Sequence, residues 1–216
     1  MEKKTLRQVD GFKIRNTLDI DFGLLHEASS QASYFAPKFY IPEHEIWLDY
    51  RFKDEKDFLL KLEELETPDI LKTYSAQRQY IKKALCISGP VPPYRISQSE
   101  EGELTIVMVD GKIIRTHFDP EFIFGGHEFV YSYIPPREIW LDNLMDTDEV
   151  QYVLLHEKVE RELMSKGKTY DIGHEYASVA EKEMRRTTGA GAYLGDDGHP
   201  WWGYTNEQLA QEYYVE

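Results

Sequence analysis

The chain of 216 residues contains a single cysteine, Cys86. One thiol excludes an intramolecular disulfide and favours a reducing compartment. The N-terminal segment lacks the apolar stretch of a secretory signal peptide, and no apolar run reaches the roughly 18 residues of a transmembrane helix. We therefore expect a cytoplasmic protein, although a virion or assembly component would have the same composition.

Positive charge is also scarce, because 25 Lys and Arg residues stand against 39 Asp and Glu residues and give a net charge of −14. Binding to nucleic acid or to an anionic membrane relies on clustered Lys and Arg. The basic pairs Lys82-Lys83 and Arg185-Arg186 suit helix ends instead. The sequence has no glycine-rich phosphate loop and no dinucleotide-binding fingerprint. We predict neither general nucleic-acid binding nor membrane binding.

A tandem repeat is the clearest pattern that the sequence does have. Residues 9–22 recur at 109–122, an offset of 100, and residues 40–49 recur at 133–142, an offset of 93. The two offsets predict a longer loop in the first copy, in the region 29–37. We interpret the chain as a diverged tandem duplication.

Each copy predicts short strands followed by two helices. The Val-Asp-Gly motif predicts a turn between strands, and Glu-Ile-Trp-Leu-Asp predicts a buried strand. We predict an α+β fold made of two tandem diverged β-β-α-α repeats, packed as a pseudo-symmetric pair. The predicted segments are repeat 1 at 1–87, a connection and strand at 88–108, repeat 2 at 109–186 and an aromatic C-terminal tail at 187–216.

The first helix of the second copy places charge on its inward face. At about 100° per residue, His156, Glu157 and Glu160 fall among the apolar residues of the segment 152–164 rather than on its polar side. A carboxylate in a low-dielectric interior must be paired, hydrogen-bonded or bound to metal. The pattern therefore indicates a functional cluster or a buried polar network.

The second helix of this copy predicts a facing polar surface that begins at His174. With His174 as the third ligand, His156 and Glu160 form a three-ligand zinc site that leaves the fourth position for water. Glu157 would act on that water as general base. Glu181 is predicted to orient His174. The other residues predicted to surround the site are Ser178 and Arg185.

The segment Leu155-His156-Glu157-Lys158-Val159-Glu160 resembles the active-site helix of zincin metallopeptidases, whose HExxH motif supplies two His ligands and a Glu base. Glu160 stands where that family has its second His. The resemblance implies a zinc-dependent, peptidase-like hydrolase. More broadly, the second copy resembles a group of small uncharacterised bacterial and phage-encoded proteins, and that resemblance implies no activity.

Two other functions fit the same residues. One is a non-catalytic interaction or assembly protein, phage-related, in which the cluster is a buried polar network and the C-terminal tail mediates homo-oligomer formation. The other is a carboxylate site for Mg²⁺ or Mn²⁺ that hydrolyses nucleotides, formed by Glu157, Glu160 and Glu181.

The first copy does not carry the predicted ligands. The positions equivalent to His156, Glu160 and His174 are Glu63, Thr67 and Ile81. The repeated fold therefore does not require the cluster, which favours a specific role for it in the second copy. Three further histidines lie in predicted loops or strand ends and are expected to be exposed, with the alternative that His127 and Glu128 line a substrate cleft: His44, His117 and His127.

Overall fold

The structure is a computed structural model, and it describes residues 4–27, 40–65, 74–191 and 205–215. It confirms the α+β class, with two small sheets and seven α-helices in those ranges. The chain divides into two compact units, of which the first is Met1–Lys53 with His174–Glu216 and the second is Asp54–Gly173. These bounds differ from the predicted segments, and the predicted loop insertion at 29–37 lies outside the described residues.

The first unit contains a three-stranded sheet in the order β1-β3-β2, with β1 parallel and β2 antiparallel to β3. A 3-10 helix, Tyr50–Glu55, follows the sheet and crosses into the second unit. The elements of the first unit are β1 (Thr5–Val9), α1 (Gly11–Thr17), β2 (Leu25–Glu27), β3 (Glu45–Asp49), most of α6 (Tyr170–Thr187) and α7 (Asn206–Gln211).

The second unit contains a four-stranded sheet in the order β4-β5-β7-β6. Strand β5 is parallel to β7, as β1 is to β3, and β6 is antiparallel to β7, as β2 is to β3. Its elements are α2 (Lys56–Glu63), α3 (Tyr74–Ala84), β4 (Arg95–Glu101), β5 (Leu104–Val109), α4 (Gly111–His117), β6 (Gly125–His127), β7 (Glu138–Asp142), α5 (Thr147–Ser165) and the start of α6. None of the described helices has the length and apolar composition needed to cross a membrane.

The Val-Asp-Gly motif does not form the predicted turn between strands. Asp10 is the N-cap of α1 and its side chain accepts a hydrogen bond from the Lys13 N–H, while Asp110 caps α4 in the same way through the Ile113 N–H. An Asp side chain satisfies a free N–H group of the first helical turn, so the motif starts a helix as readily as it starts a turn. Each unit therefore contains a β-α-β-β segment, with a helix that the predicted β-β-α-α order omits.

Aromatic residues of the C-terminal tail complete the core of the first unit. The rings of Tyr213 and Tyr214 lie 6.2 and 6.0 Å from the ring of Trp47, and Tyr214 forms a β-bridge with Val9. The described tyrosine pair therefore packs on the body of the first unit. The tryptophan pair at 201–202 lies outside the described residues.

Asp49, at the end of β3, is fully buried, and the two oxygens of its carboxylate have different surroundings. Its Oδ1 accepts hydrogen bonds from the backbone and side chain of Arg51, while Oδ2 has no hydrogen-bond partner among the described residues. Burial raises the pKa of Asp49 to about 6, against the opposing charge and hydrogen bonds of Arg51. The ionised form is therefore disfavoured in the folded state.

We expect Asp49→Asn to increase stability at neutral pH. The folded-state pKa of Asp49 lies above the unfolded value of 3.8. The contribution of protonated Asp49 to stability is therefore fully present below pH 3.8 and is lost as the pH rises through about 6. This difference between the folded and unfolded pKa corresponds to roughly 3 kcal/mol. Urea unfolding at pH 4 and pH 7 should show a smaller decrease with pH for the variant than for the wild type.

Asp142 provides the matched control, because it occupies the same position of β7. Its Oδ2 accepts a hydrogen bond of 2.6 Å from the buried guanidinium of Arg115. Asp142→Asn should therefore destabilise the protein at pH 7, opposite in sign to Asp49→Asn. Equal losses of stability in the two variants would contradict the assignment of Asp49 as an unfavourable buried charge.

Candidate metal centre

Helix α5 carries the two glutamates of the candidate site on its buried face. The helix begins after the N-cap Asp146 and ends before Gly167, whose φ of +85° is the left-handed conformation typical of a residue that ends a helix. Glu157 and Glu160 are 9% and 3% exposed. The prediction that these carboxylates face inward is confirmed.

The residue directly before strand β6 has a strained backbone. Phe124 is buried and has a φ of +57°, one of three non-glycine residues with positive φ in the described ranges. The N–H of Gly125 donates to the carbonyl of Ile123 at 2.6 Å, so Phe124 is at the centre of a tight three-residue turn. Strain of this kind costs about 1–3 kcal/mol and is concentrated at functional sites. It directly precedes the strand that carries His127.

Gly125 creates the space in which Glu157 lies. A Cβ at Gly125 would be 2.9 Å from Oε1 of Glu157, and 3.0 Å from both its Cγ and the Cγ1 of Val153. Any larger residue would push the carboxylate away from β6. The strand in the first unit has Leu25 at the equivalent position, so this opening belongs to the second unit alone.

Gly125→Ala should displace Glu157 and lower the melting temperature. Forcing one methyl group into a packed site costs about 1–3 kcal/mol. Val153→Ala removes one of the contacted side chains. Adding Gly125→Ala to this variant should therefore lower the melting temperature less than Gly125→Ala does in the wild type. Thermal unfolding of the four proteins measures the coupling, and strictly additive losses would contradict the proposed contact.

Glu160 lies between two histidines of the second unit. Its Oε1 is 3.1 Å from Nε2 of His127, and its Oε2 is 3.7 Å from Nε2 of His156. His127, Glu157 and Glu160 each place one ligand atom within 4.8 Å of the others. These residues form a group that could hold a metal ion, as the sequence predicts in general terms for this region, and the group includes His127.

The separation of the donors fits the geometry of a bound ion. Two ligands of a tetrahedral zinc at about 2.05 Å from the metal are about 3.3 Å apart. The His127–Glu160 separation of 3.1 Å is close to that value, and the His156–Glu160 separation of 3.7 Å is slightly longer. Imidazole and carboxylate donors suit zinc, manganese and iron.

The hydrogen bonds of His127 indicate which of its ring nitrogens carries the proton. The backbone N–H of Phe129 donates to its Nδ1 at 3.3 Å, so Nδ1 accepts and the ring proton is on Nε2, from which it is donated to Glu160. Ligation of an ion through Nε2 would move the proton to Nδ1 and break this long hydrogen bond. That loss is about 1 kcal/mol, whereas a zinc site contributes about 10–16 kcal/mol, so the tautomer does not prevent binding.

Charged groups on the outer side of β6 fix its end to α5. The side chain of Glu128 accepts two hydrogen bonds from Arg161, at 2.6 and 3.0 Å, and the Arg161 guanidinium lies 5.6 Å from the centre of the Phe129 ring. Burial would raise the pKa of Glu128, but the hydrogen bonds and charge of Arg161 together with backbone hydrogen bonds, among them that of Arg137, leave the pKa below its ordinary value. Glu128 is therefore paired with Arg161 beside the cluster.

The expectation that His127 is exposed is wrong, because its side chain is completely buried. The sequence contained a signal for this position, since His127 follows two glycines where the first copy has Leu25-His26. A glycine pair in a strand indicates the close approach of another element. His26 itself is held in the first unit by the N–H of Gly23, and burial lowers its pKa to about 4.

The remaining residues of the predicted site lie in the first unit, on α6. Glu181 is buried and accepts hydrogen bonds from Arg15 at 2.7 Å and from Arg185 at 3.0 and 2.7 Å. Ser178 is buried, and its hydroxyl has no hydrogen-bond partner within the described ranges. The roles predicted for these residues and for His174 around a metal ion stay predictions. Arg185 lies in the last turn of α6, as the sequence predicts, and it is also part of a buried ion cluster.

Comparison of the chain with models of protein families, with curated proteins and with solved structures gave no match.

Proposed function

We propose that the second unit is the catalytic part of a metal-dependent hydrolase, with zinc as the leading cofactor and Mn²⁺ or Mg²⁺ as alternatives. The ion is bound by His127, Glu157 and Glu160. Three protein ligands leave the fourth position of a tetrahedral ion to water, which is the arrangement of catalytic rather than structural zinc sites. A bound zinc ion lowers the pKa of its water to about 7, which supplies hydroxide near neutral pH.

The observation that carries this proposal is the position of Glu160. Its buried carboxylate is 3.1 Å from the buried Nε2 of His127, close to the spacing of two ligands of one ion. Helix α5 supplies the carboxylate and strand β6 supplies the histidine, so the ligands come from two elements whose approach depends on Gly125. Rigid elements hold a site more accurately than loops do.

Glu157 has a different role here from the one predicted by the zincin resemblance. Because its carboxylate belongs to the same group of donors as His127 and Glu160, we propose it as the third ligand rather than as the general base. Glu157→Gln tests the assignment, because the amide keeps the shape of the side chain but weakens ligation. A ligand role predicts loss of metal from the variant, whereas a base role predicts full metal content and loss of hydrolysis.

The experiment begins with metal-free protein, prepared with a chelator and dialysed against Zn²⁺ or Mn²⁺. We expect at least one ion per chain by elemental analysis, and hydrolysis of at least one of three probes: internally quenched peptides, p-nitrophenyl acetate and p-nitrophenyl phosphate. Protein that binds no ion would overturn the proposal. Binding without turnover of any probe would refute hydrolysis of these substrate classes and favour a structural ion.

A further inference from the structure

The two oxygens of Glu160 face two different histidines. Oε1 approaches Nε2 of His127 on strand β6, and Oε2 approaches Nε2 of His156, which is one turn earlier on α5. Both contacts lie within the second unit, and neither uses the oxygen that the other uses. A carboxylate that presents its oxygens to separate donors has the geometry of a bridging ligand rather than that of a ligand to one ion.

One ion cannot be bound by both histidines and by Glu160 without rearrangement of the cluster. Two ligands of one ion, each about 2.1 Å from it, are at most about 4.2 Å apart. Among the described residues, no group of three donors within 4.8 Å of one another contains both His127 and His156. Each histidine satisfies the distance limit with one oxygen of Glu160, but the two histidines and Glu160 do not form one such group.

We infer that the second unit binds two divalent transition-metal ions bridged by Glu160. This inference rests on the metal site proposed above and adds a second ion to it. The first ion is bound by His127, Glu157 and Oε1 of Glu160, and the second by His156 and Oε2 of Glu160. Ions in paired hydrolytic centres lie about 3.5–4 Å apart, a distance that the two oxygens of one carboxylate can span.

Exposure separates the two ion positions. His127 is fully buried, whereas the side chain of His156 is 12% exposed. The ion at His156 therefore stands closer to solvent, so it is the weaker site and the one that water and substrate reach. Sequential binding of a tight and a weak ion is the expected result of a titration with Mn²⁺.

Metal stoichiometry and magnetic coupling test the inference without an activity assay. Metal-free protein is titrated with Mn²⁺, followed by elemental analysis after removal of free metal and by electron paramagnetic resonance. The wild type should bind two ions per chain and show a spectrum of two exchange-coupled ions. His156→Ala should bind one ion and show the spectrum of isolated Mn²⁺. His44→Ala, a change at a histidine that is 64% exposed in the first unit, should still bind two.

The possible results separate this inference from the proposed function. One ion per wild-type chain, with an uncoupled spectrum, would overturn the bridged pair and leave the single-ion hydrolase in place. Zero ions would overturn both. If His156→Ala does not fold by circular dichroism, His156→Gln replaces it, and the wild-type stoichiometry decides the question without any variant.

Discussion

Glu160→Ala is expected to lower the affinity for Zn²⁺ by a few hundred-fold and to abolish metal-dependent hydrolysis at micromolar zinc. The carboxylate is the donor shared by both histidine contacts, so its removal affects every ion position of the cluster. A zinc site with four ligands contributes about 10–16 kcal/mol, and one ligand of four accounts for about 3–4 kcal/mol, or between two and three powers of ten in Kd. Competition with a chelating dye measures the change.

Glu162→Ala is the matched control, because it removes the same side chain two positions later on the same helix. The Glu162 side chain is 65% exposed and pairs with Lys166 on the surface, and exposed pairs at this spacing contribute only about 0.3–0.5 kcal/mol. Metal affinity should be unchanged in this variant. Equal zinc affinity of Glu160→Ala and the wild type would show that the buried cluster is a polar network without metal.

The inward position of Glu157 and Glu160 could be predicted from the sequence because it depends on local periodicity. A helix of known phase fixes which residues share a face, and α5 spans five turns without interruption. The α+β class was predicted for a similar reason, since short β-rich motifs alternate with helical ones along the chain. Neither prediction required a contact between distant residues.

His127 could not be found in this way, because its bond to Glu160 joins residues 33 positions apart. The same limit applies to Glu181, whose partner Arg15 is 166 positions away. The error at Val-Asp-Gly has a different origin, because an Asp followed by Gly satisfies the requirements of a turn and of a helix N-cap equally well. Only the hydrogen bond from the third residue of the helix distinguishes the two.

Arg115→Ala should produce the largest loss of stability in the second unit. The guanidinium is fully buried and donates to Glu55 at 2.6 and 2.8 Å and to Asp142 at 2.6 Å. Burial alone would lower the pKa of Arg115, but its bonds with these carboxylates raise the pKa above its ordinary value. Removal of the side chain leaves two carboxylates buried without their cation, which costs about 3–5 kcal/mol.

Thermal unfolding of the metal-free protein measures the effect, and a loss of this size corresponds to a decrease of roughly 10–20 °C for a unit of this length. Arg115→Lys should recover little, because an ammonium cannot donate to both carboxylates in the planar arrangement of a guanidinium. Arg95→Ala is the control, since Arg95 pairs with Glu138 at 2.8 Å on the surface of the same unit and its loss should cost no more than about 1 kcal/mol.

The triple variant Arg115→Met, Glu55→Gln, Asp142→Asn separates the two origins of the expected loss. It removes the guanidinium together with both buried charges, so it should be more stable than Arg115→Ala if unpaired carboxylates cause the loss. If the triple variant is as unstable as the single one, the packing of the Arg115 side chain, rather than its charge, stabilises this part of the second unit. Because Asp142 also accepts the N–H of Leu144, three residues before the start of α5, that outcome would make α5 and its proposed metal ligands dependent on the same packing.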